Sequence, residues 1–218
     1  MGGATFPTHV KMAPPPNKKI DLVILNGAEC EPYLTSDHRV MLEHGDKVIT
    51  GMQIAMRIVG AAAGKIGIEE NKPDAIAAMQ KAVHGTGIEV VPVQTKYPQG
   101  AEKTLIKVVA DREVPSGGLP MDVGVVVQNI GTVAAIADAA ERGIPLIERV
   151  TTVTGGAINE PKNLRLRVGT LFSHAINECG GFSAVPAKLI LGGPMMGTAQ
   201  RTLETPAIKG CSGILALT

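Results

Sequence analysis

The stretch DLVILN, Asp21–Asn26, decides the fold class, because it is a continuous apolar run that ends at an Asn-Gly turn. Such a run is typical of a strand that is buried on both faces of a parallel sheet. The run DVGVVVQ, Asp122–Gln128, has the same character. Helical spacing is found over Val48–Ala63, Lys72–His84 and Thr132–Arg142. Strands that alternate with helices predict an α/β sheet with helices on its faces.

The composition changes near Gly143–Ile147, and strand patterns dominate from there on. Apolar and polar residues alternate over Leu146–Thr154 and over Asn163–Val168, as in half-buried strands. One helix is predicted over Thr170–Cys179, with Thr170 as its N-cap. We therefore expect two domains, an α/β domain over residues 1–145 and a ubiquitin-like α+β module over residues 146–218.

Composition argues against several functional classes. The 218 residues include 21 basic and 20 acidic side chains, a net charge of +1, so no nucleic-acid partner is expected. No apolar run approaches the roughly 20 residues of a membrane span, and the first residues lack the apolar segment of a signal peptide. Because Cys30, Cys179 and Cys211 are scattered, neither a disulfide framework nor a metal site is predicted. Both ends look cut, so we expect a piece of a longer protein.

Two motifs follow the buried strands directly. NGAECEP, Asn26–Pro32, comes after the first strand, and QNIGT, Gln128–Thr132, comes after the second. Ligands of open α/β sheets bind beyond the carboxyl ends of the strands, so both motifs stand where a binding loop is expected. The structural alternatives are an Asn-Gly turn with solvated acids for the first motif, and simple capping of a helix by Thr132 for the second.

Two further motifs are rich in glycine or polar residues. GGATFPTHVK, Gly2–Lys11, offers backbone N–H groups that approach an anion closely, and Lys11 suits a phosphate. YPQGAEKT, Tyr97–Thr104, joins a strand to a helix. A flexible turn accounts for the first motif without any function, and complementarity to the helix dipole accounts for Glu102 in the second.

Taken in order, GGATFPTHVK, NGAECEP, GAEKTL and QNIGT resemble the motifs of the C subunit of the Rnf electron-transport complex. They resemble more distantly GGAGFPTGLKW, NADESEP, GEETAL and NNVET of the flavoprotein subunit of respiratory NADH dehydrogenase. The tail motifs TVTGGAINEP and LGGPMMG resemble the soluble-ligand-binding β-grasp (SLBB) module of the same family. The resemblance implies a Rossmann-like FMN-binding domain over residues 1–145 and a β-grasp module over residues 146–218.

The resemblance also implies a set of site residues. By positional match, FMN would be held by Gly2, Gly3, Lys11, Asn26, Cys30, Gly100, Asn129 and Thr132. NADH would be contacted by Phe6, Glu31 and Glu102, with Phe6 as a stacking partner. No catalytic acid or base is required, because hydride transfer takes place between the two cofactors.

The sequence departs from the dehydrogenase motifs at several positions. Ala28 stands where that subunit has Asp, Cys30 where it has Ser, and Ala101 where it has one of two paired glutamates. Gln128 replaces one of two paired asparagines, and Pro14 falls where a second aromatic residue of the nucleotide clamp is expected.

The resemblance implies an FMN-binding, NADH-oxidising component of a membrane-associated complex, peripheral on the cytoplasmic side of the cell membrane. Electrons would pass from the flavin to iron–sulfur clusters in a C-terminal region that this chain lacks, and on to other Rnf subunits. The isolated chain is expected to be weakly active or inactive. Two alternatives remain open: a cobalamin (corrin) reductase of a microcompartment, and a docking module with a vestigial nucleotide site.

Overall fold

The structure is a computed structural model and describes residues 5–218. A parallel sheet of four strands in the order β3-β2-β1-β4 forms the first part of the chain. Its strands are β1 (Leu22–Gly27), β2 (Ala63–Glu69), β3 (Ile88–Val93) and β4 (Val125–Asn129). Its helices are α1 (Thr8–Lys11), α2 (Ser36–Glu43), α3 (Gly45–Val59), α4 (Pro73–Ala82), α5 (Glu102–Ala110) and α6 (Ile130–Arg142), with a 3-10 turn at Pro120–Val123.

Strand β1 is buried on both faces, as its apolar sequence predicts. Val23 and Leu25 pack into one hydrophobic cluster with α3 and α6. Leu22 and Ile24 point the other way, into a second cluster with α5. Helices therefore cover both faces of the sheet, and the predicted α/β class is confirmed.

Several element boundaries differ from the prediction. Helix α3 begins at Gly45 and ends at Val59, where Gly60 caps it with φ = 73°, and Ala63 already belongs to β2. The second apolar run begins with the 3-10 turn, and β4 starts only after Gly124, at φ = 74°. Helix α2 has no counterpart in the prediction, because its polar sequence carries little apolar periodicity.

The second part of the chain forms a mixed sheet of five strands in the order β6-β5-β9-β7-β8, with one helix packed on it. Strands β5 and β9 run parallel, and the other neighbours run antiparallel. The elements are β5 (Glu148–Thr154), β6 (Lys162–Arg167), α7 (Phe172–Asn177), β7 (Lys188–Leu191), β8 (Thr198–Gln200) and β9 (Gly213–Leu217).

This arrangement confirms the predicted α+β module, with one correction. Helix α7 follows Leu171, and Thr170 does not cap it. The module has a core of its own, centred on Phe172 and Ile214. The division at residues 145 and 146 stays a prediction. Within residues 5–218, no helix combines the length and apolar character that crossing a membrane requires.

The packing of α3 on α6 depends on Gly51. A Cβ atom at Gly51 would lie 1.8 Å from the carbonyl oxygen of Val133 in α6. At Gly45, in the same helix, the nearest atom to such a Cβ is the Met79 sulfur at 3.5 Å, an ordinary contact. We expect Gly51→Ala to lower the free energy of unfolding by about 1–3 kcal/mol through overpacking. Urea denaturation measures it.

Gly45→Ala is the matched control for that measurement. It should leave the free energy of unfolding unchanged or raise it by up to about 1 kcal/mol, because alanine favours the helix more than glycine does. Equal effects of the two substitutions would mean that Gly51 does not set the distance between α3 and α6.

Candidate cofactor site

A cavity of about 540 Å³ opens at the carboxyl ends of β1 and β4. Asn26 and Asn129 stand side by side there, because they are partners in the parallel register. The chain runs from β1 outward to β2 and β3 and then returns to β4 on the other side of β1. This edge is therefore the topological switch point of the sheet, where open α/β sheets bind ligands.

Most of the predicted site residues meet at this cavity. Its lining includes Phe6, Lys11, Asn26, Gly100, Glu102, Asn129 and Thr132. Cys30 lies directly beside it, since its sulfur accepts the Gly100 N–H at 3.3 Å. Gly2 and Gly3 lie outside the described residues.

Glu31 does not line the cavity. Its carboxylate instead accepts the backbone N–H groups of Met195 and Met196 from the second module, at 3.0 and 2.7 Å.

Lys11 and Glu102 form an ion pair at the cavity wall. Lys11 Nζ lies 2.7 Å from Glu102 Oε1 and also donates to the Val127 carbonyl at 2.9 Å. The pair is partly exposed, so it adds little stability, but it orients both side chains. The prediction assigned the two residues to different ligands, whereas the structure pairs them with each other. A phosphate at Lys11 would therefore compete with Glu102.

Asn26 holds the loop that contains Gly100. Its Nδ2 donates to the Gly100 carbonyl at 2.8 Å, and its Oδ1 accepts the Ala28 N–H at 3.2 Å. A Cβ atom at Gly100 would lie 3.3 Å from both the Asn26 amide and the Cys30 sulfur, so the glycine permits this close approach. The wall formed by Asn26, Cys30 and Gly100 is thus assembled by contacts within the chain.

Asn129 caps helix α6, and Thr132 does not. Asn129 Oδ1 accepts the Thr132 N–H at 3.2 Å, while its Nδ2 donates to the carboxylate of Asp37. Asp37 also receives the Gly131 N–H and faces Arg149 of β5. The amide of Asn129 is therefore engaged on both sides, and replacing it would damage the helix as well as the cavity.

Glu29 organises the loop between β1 and α2. Its backbone adopts φ = 49°, a left-handed conformation that is costly for a residue with a side chain. Its carboxylate accepts the hydroxyl of Ser36 and the N–H groups of Asp37 and His38, and so caps α2. The buried ammonium of Lys72 donates a hydrogen bond to the Ala28 carbonyl of the same loop at 2.7 Å.

Burial raises the pKa of Glu29 to about 7, and the charge of Asp37 adds to the shift, although the three donors oppose it. Burial also raises the pKa of Asp37, while Arg149 and the donors from Asn129 and Gly131 oppose that shift. The two carboxyl groups therefore share a low-dielectric site next to the cavity, where ionisation of one disfavours ionisation of the other.

The cavity has the character of a small-molecule site. Its volume is in the range of ligand pockets, and its walls combine apolar side chains such as Leu119 and Met121 with a few polar groups. Helix α5 begins at this wall without a side-chain cap, so its first N–H groups favour an anion. Gln99, next to Gly100, is fully buried, and its amide has no hydrogen-bond partner within residues 5–218. Gln99 does not line the cavity, so this amide says nothing about a ligand there. The volume of the cavity, its mixed walls and the uncapped start of α5 fit a flavin mononucleotide.

Sequence reasoning missed several residues of the site. Leu119 and Met121 line the cavity from the 3-10 turn, Asp37 supports Asn129, and Lys72 supports the loop of β1. Asp37 and Lys72 follow the motif residues at distances that no local pattern marks. The described residues contain no group of three or more His, Cys, Asp or Glu side chains that is arranged to hold a metal ion.

The fold defines the class of protein. It consists of a doubly wound α/β domain with a cavity at its switch point, followed by a small module with a mixed sheet. Residues 1–138 match the family model of the Nuo51 FMN-binding domain, and residues 150–199 match the SLBB domain. The chain is 65% identical over its whole length to the C subunit of a proton-translocating ferredoxin:NAD+ oxidoreductase complex from Clostridium ljungdahlii, covering 48% of that protein.

It is 55% identical, again over its whole length, to the C subunit of a Na+-translocating ferredoxin:NAD+ oxidoreductase complex from Acetobacterium woodii, covering 49% of that protein. The chain therefore belongs to the Nuo51 FMN-binding domain family. Its predicted resemblance to C subunits of such complexes is confirmed by these two relatives. It spans about half the length of these curated relatives.

A solved structure has a similar fold. A chain in the crystal structure of an NAD+-reducing NiFe-hydrogenase in its H2-reduced state superposes with a TM-score of 0.78. The sequences are 19% identical, and the match covers 98% of this chain and 43% of the other. The likeness extends over both modules and supports the Rossmann-like and β-grasp assignment of the fold.

The raised pKa of Glu29 predicts how stability depends on pH. Between its ordinary value near 4.5 and about 7, the folded chain holds this proton more tightly than the unfolded chain does. The free energy of unfolding should therefore fall as pH rises from about 5 to about 7, by on the order of 2 kcal/mol, and then level off. Urea denaturation across this range measures the slope.

Glu29→Gln should flatten that slope, because the variant has no proton to lose at this position and also relieves Asp37 of a like charge. A slope equal to that of the unmodified chain would assign the pH dependence to other groups.

Proposed function

We propose that the chain binds FMN in the cavity at the carboxyl ends of β1 and β4. The observation that carries the proposal is the meeting of residues from separate motifs, among them Lys11, Asn26, Gly100 and Asn129, around one cavity of about 540 Å³. Membership of the Nuo51 FMN-binding domain family supports the same ligand.

The residues of the chain would divide the work of holding the flavin. Asn26, Gly100, Cys30 and Asn129 form a wall that hydrogen bonds within the chain have already positioned, so little ordering would accompany binding. The candidates for binding the phosphate are Lys11, the backbone N–H groups at the start of α5, and Gly2 and Gly3 of the N-terminal motif. Thr132, in the first turn of α6, would complete the site.

A nicotinamide nucleotide is the proposed second ligand. Phe6 lines the cavity and is 53% exposed, so its ring has a free face for stacking. Glu102 lines the same cavity and would accept ribose hydroxyl groups. FMN, when bound, supplies the redox chemistry that links a two-electron nicotinamide to one-electron carriers.

The role in the whole protein is also a proposal, since the chain spans about half of its relatives. Those relatives are named as subunits of ion-translocating ferredoxin:NAD+ oxidoreductase complexes. We propose that this chain is the flavin-binding part of such a subunit, peripheral on the cytoplasmic side of the membrane. Iron–sulfur clusters outside this chain and other Rnf subunits would be its electron-transfer partners.

Blocking the cavity tests FMN binding without removing a structural contact. Ala101 is exposed and lines the cavity, so Ala101→Phe would place a ring where the flavin is proposed to lie. We expect the FMN dissociation constant to rise at least about tenfold, which corresponds to about 1.4 kcal/mol. Quenching of flavin fluorescence during titration measures it.

Ala62→Phe is the control, because Ala62 is an exposed alanine that does not line the cavity. It should leave the dissociation constant unchanged. If the unmodified chain fails to bind FMN, or if both variants bind as well as it does, the proposed site is wrong.

Phe6→Ala tests the nucleotide proposal separately. The substitution removes a stacking face that contributes about 1 kcal/mol, judged from aromatic pairs. NADH-dependent bleaching of the bound flavin should slow roughly fivefold in a stopped-flow experiment, while the affinity for FMN stays nearly the same. Equal rates in the two proteins, or faster reduction by NADPH than by NADH, would place the nicotinamide elsewhere.

A further inference from the structure

The loop between β1 and α2 has two sides, and the second module covers one of them. On the side of the cavity, Cys30 of the loop and Asn26 at the end of β1 both hold Gly100. On the other side, Glu31 and Thr35 contact the five-stranded sheet and its loops. The same short segment therefore joins the proposed flavin site to the second module.

The strongest of these contacts is the carboxylate of Glu31. It accepts two successive backbone N–H groups, those of Met195 at 3.0 Å and Met196 at 2.7 Å. Both groups belong to the motif LGGPMMG, in the loop between β7 and β8. Successive N–H groups that converge on one point form a concavity for an anion, and hydrogen bonds to a charged acceptor are the stronger kind.

Glycines of the same loop make this approach possible. A Cβ atom at Gly193 would lie 2.2 Å from Glu31 Oε2, so any side chain there would displace the carboxylate. Gly192 adopts φ = 100°, in the region that favours glycine. The glycines of the motif LGGPMMG thus allow its backbone N–H groups to bind the Glu31 carboxylate of the first domain.

Two further contacts fix the same segment against the second module. The Thr35 N–H donates to the Thr152 hydroxyl of β5 at 3.0 Å. Leu34 packs so closely on Gly213 of β9 that a Cβ atom there would lie 2.4 Å from its Cδ2. The segment is therefore held by β5, by β9 and by the loop after β7.

We propose that Glu31 is a positioning residue, through which the second module holds the β1–α2 loop in the conformation that forms the flavin cavity. The coupling runs from the amides of Met195 and Met196 to Glu31, then through the adjacent Cys30 to Gly100. The proposal rests on the proposed function for its flavin-binding consequence. The mechanical link itself can be tested without flavin.

The test without flavin uses the thiol of Cys30. Burial raises the pKa of this thiol, which slows its alkylation. Glu31→Ala removes both hydrogen bonds, but it also removes a charge that raises this pKa. Gly193→Ala disturbs the same contact and keeps the charge, so it reports the contact alone. We expect iodoacetamide to modify Cys30 about tenfold faster in both variants, as followed by peptide mass. Glu31→Gln keeps one carbonyl acceptor and should give an intermediate rate. The control is Glu141→Ala, at an exposed glutamate in the last turn of α6, and it should alkylate at the original rate.

A substitution in the second module shows whether the Glu31 contact itself, rather than a general loss of stability, affects the flavin cavity. Gly193→Ala obstructs the carboxylate from within the second module, at a position that does not line the cavity. With FMN as the probe, Glu31→Ala and Gly193→Ala should each raise the dissociation constant about tenfold, and the double variant should bind no more weakly than either single one. The free energy of unfolding is measured alongside to confirm that each variant is folded.

The outcomes distinguish the two proposals. If Cys30 reacts at the same rate in all variants, or if the effects of Glu31→Ala and Gly193→Ala on FMN affinity simply add, the positioning role is wrong. If the unmodified chain binds no FMN while Gly193→Ala, which keeps the charge of Glu31, still accelerates alkylation, the proposed function fails and the link between the modules stands. Faster alkylation with unchanged FMN affinity would confine Glu31 to a purely structural role and overturn the proposal.

Discussion

Everything at the candidate site depends on one constraint, the central position of β1 in a parallel sheet that is covered on both faces. Because β2 and β3 lie on one side of β1 and β4 lies on the other, the chains that leave β1 and β4 diverge. A cavity opens between them at the switch point. The backbone and side chains that line it must then satisfy their hydrogen bonds without the help of a neighbouring strand.

The chain satisfies most of these groups internally. Asn26 pairs with Gly100, Asn129 with Thr132 and Asp37, and Lys11 with Glu102. Such mutual bonding fixes the geometry before any ligand arrives, which is what precise binding requires. It also concentrates carboxyl groups in a poorly solvated region, and the raised pKa of Glu29 is the consequence. Burying the Glu29 carboxylate is unfavourable, but its hydrogen bonds to the first N–H groups of α2 offset part of that free energy.

Sequence reasoning succeeded where a local pattern reflects a local cause. The run DLVIL marks a strand that is buried on both faces, and the motifs that follow β1 and β4 mark the edge where the cavity lies. It failed where competing partners decide the outcome. Thr132 is a good capping residue by type, but Asn129 takes that position because it directly precedes α6 and its amide oxygen accepts the Thr132 N–H in the first turn. The predicted contact of Glu31 with NADH stays a prediction, and no local pattern indicated that its carboxylate would accept N–H groups more than 160 positions away.

The amino-acid sequence by itself determines the fold class, the two-part organisation and the family. It also determines the strand ends at which polar residues gather. Each of these depends on apolar periodicity or on short contiguous motifs. Which polar groups remain available to a ligand is settled by packing alone. That outcome depends on distances between segments that are remote in the chain, such as Lys11 with Glu102 and Glu31 with Met196. Hydrogen bonds act over about 3 Å, so they are assigned only when packing has brought their partners together.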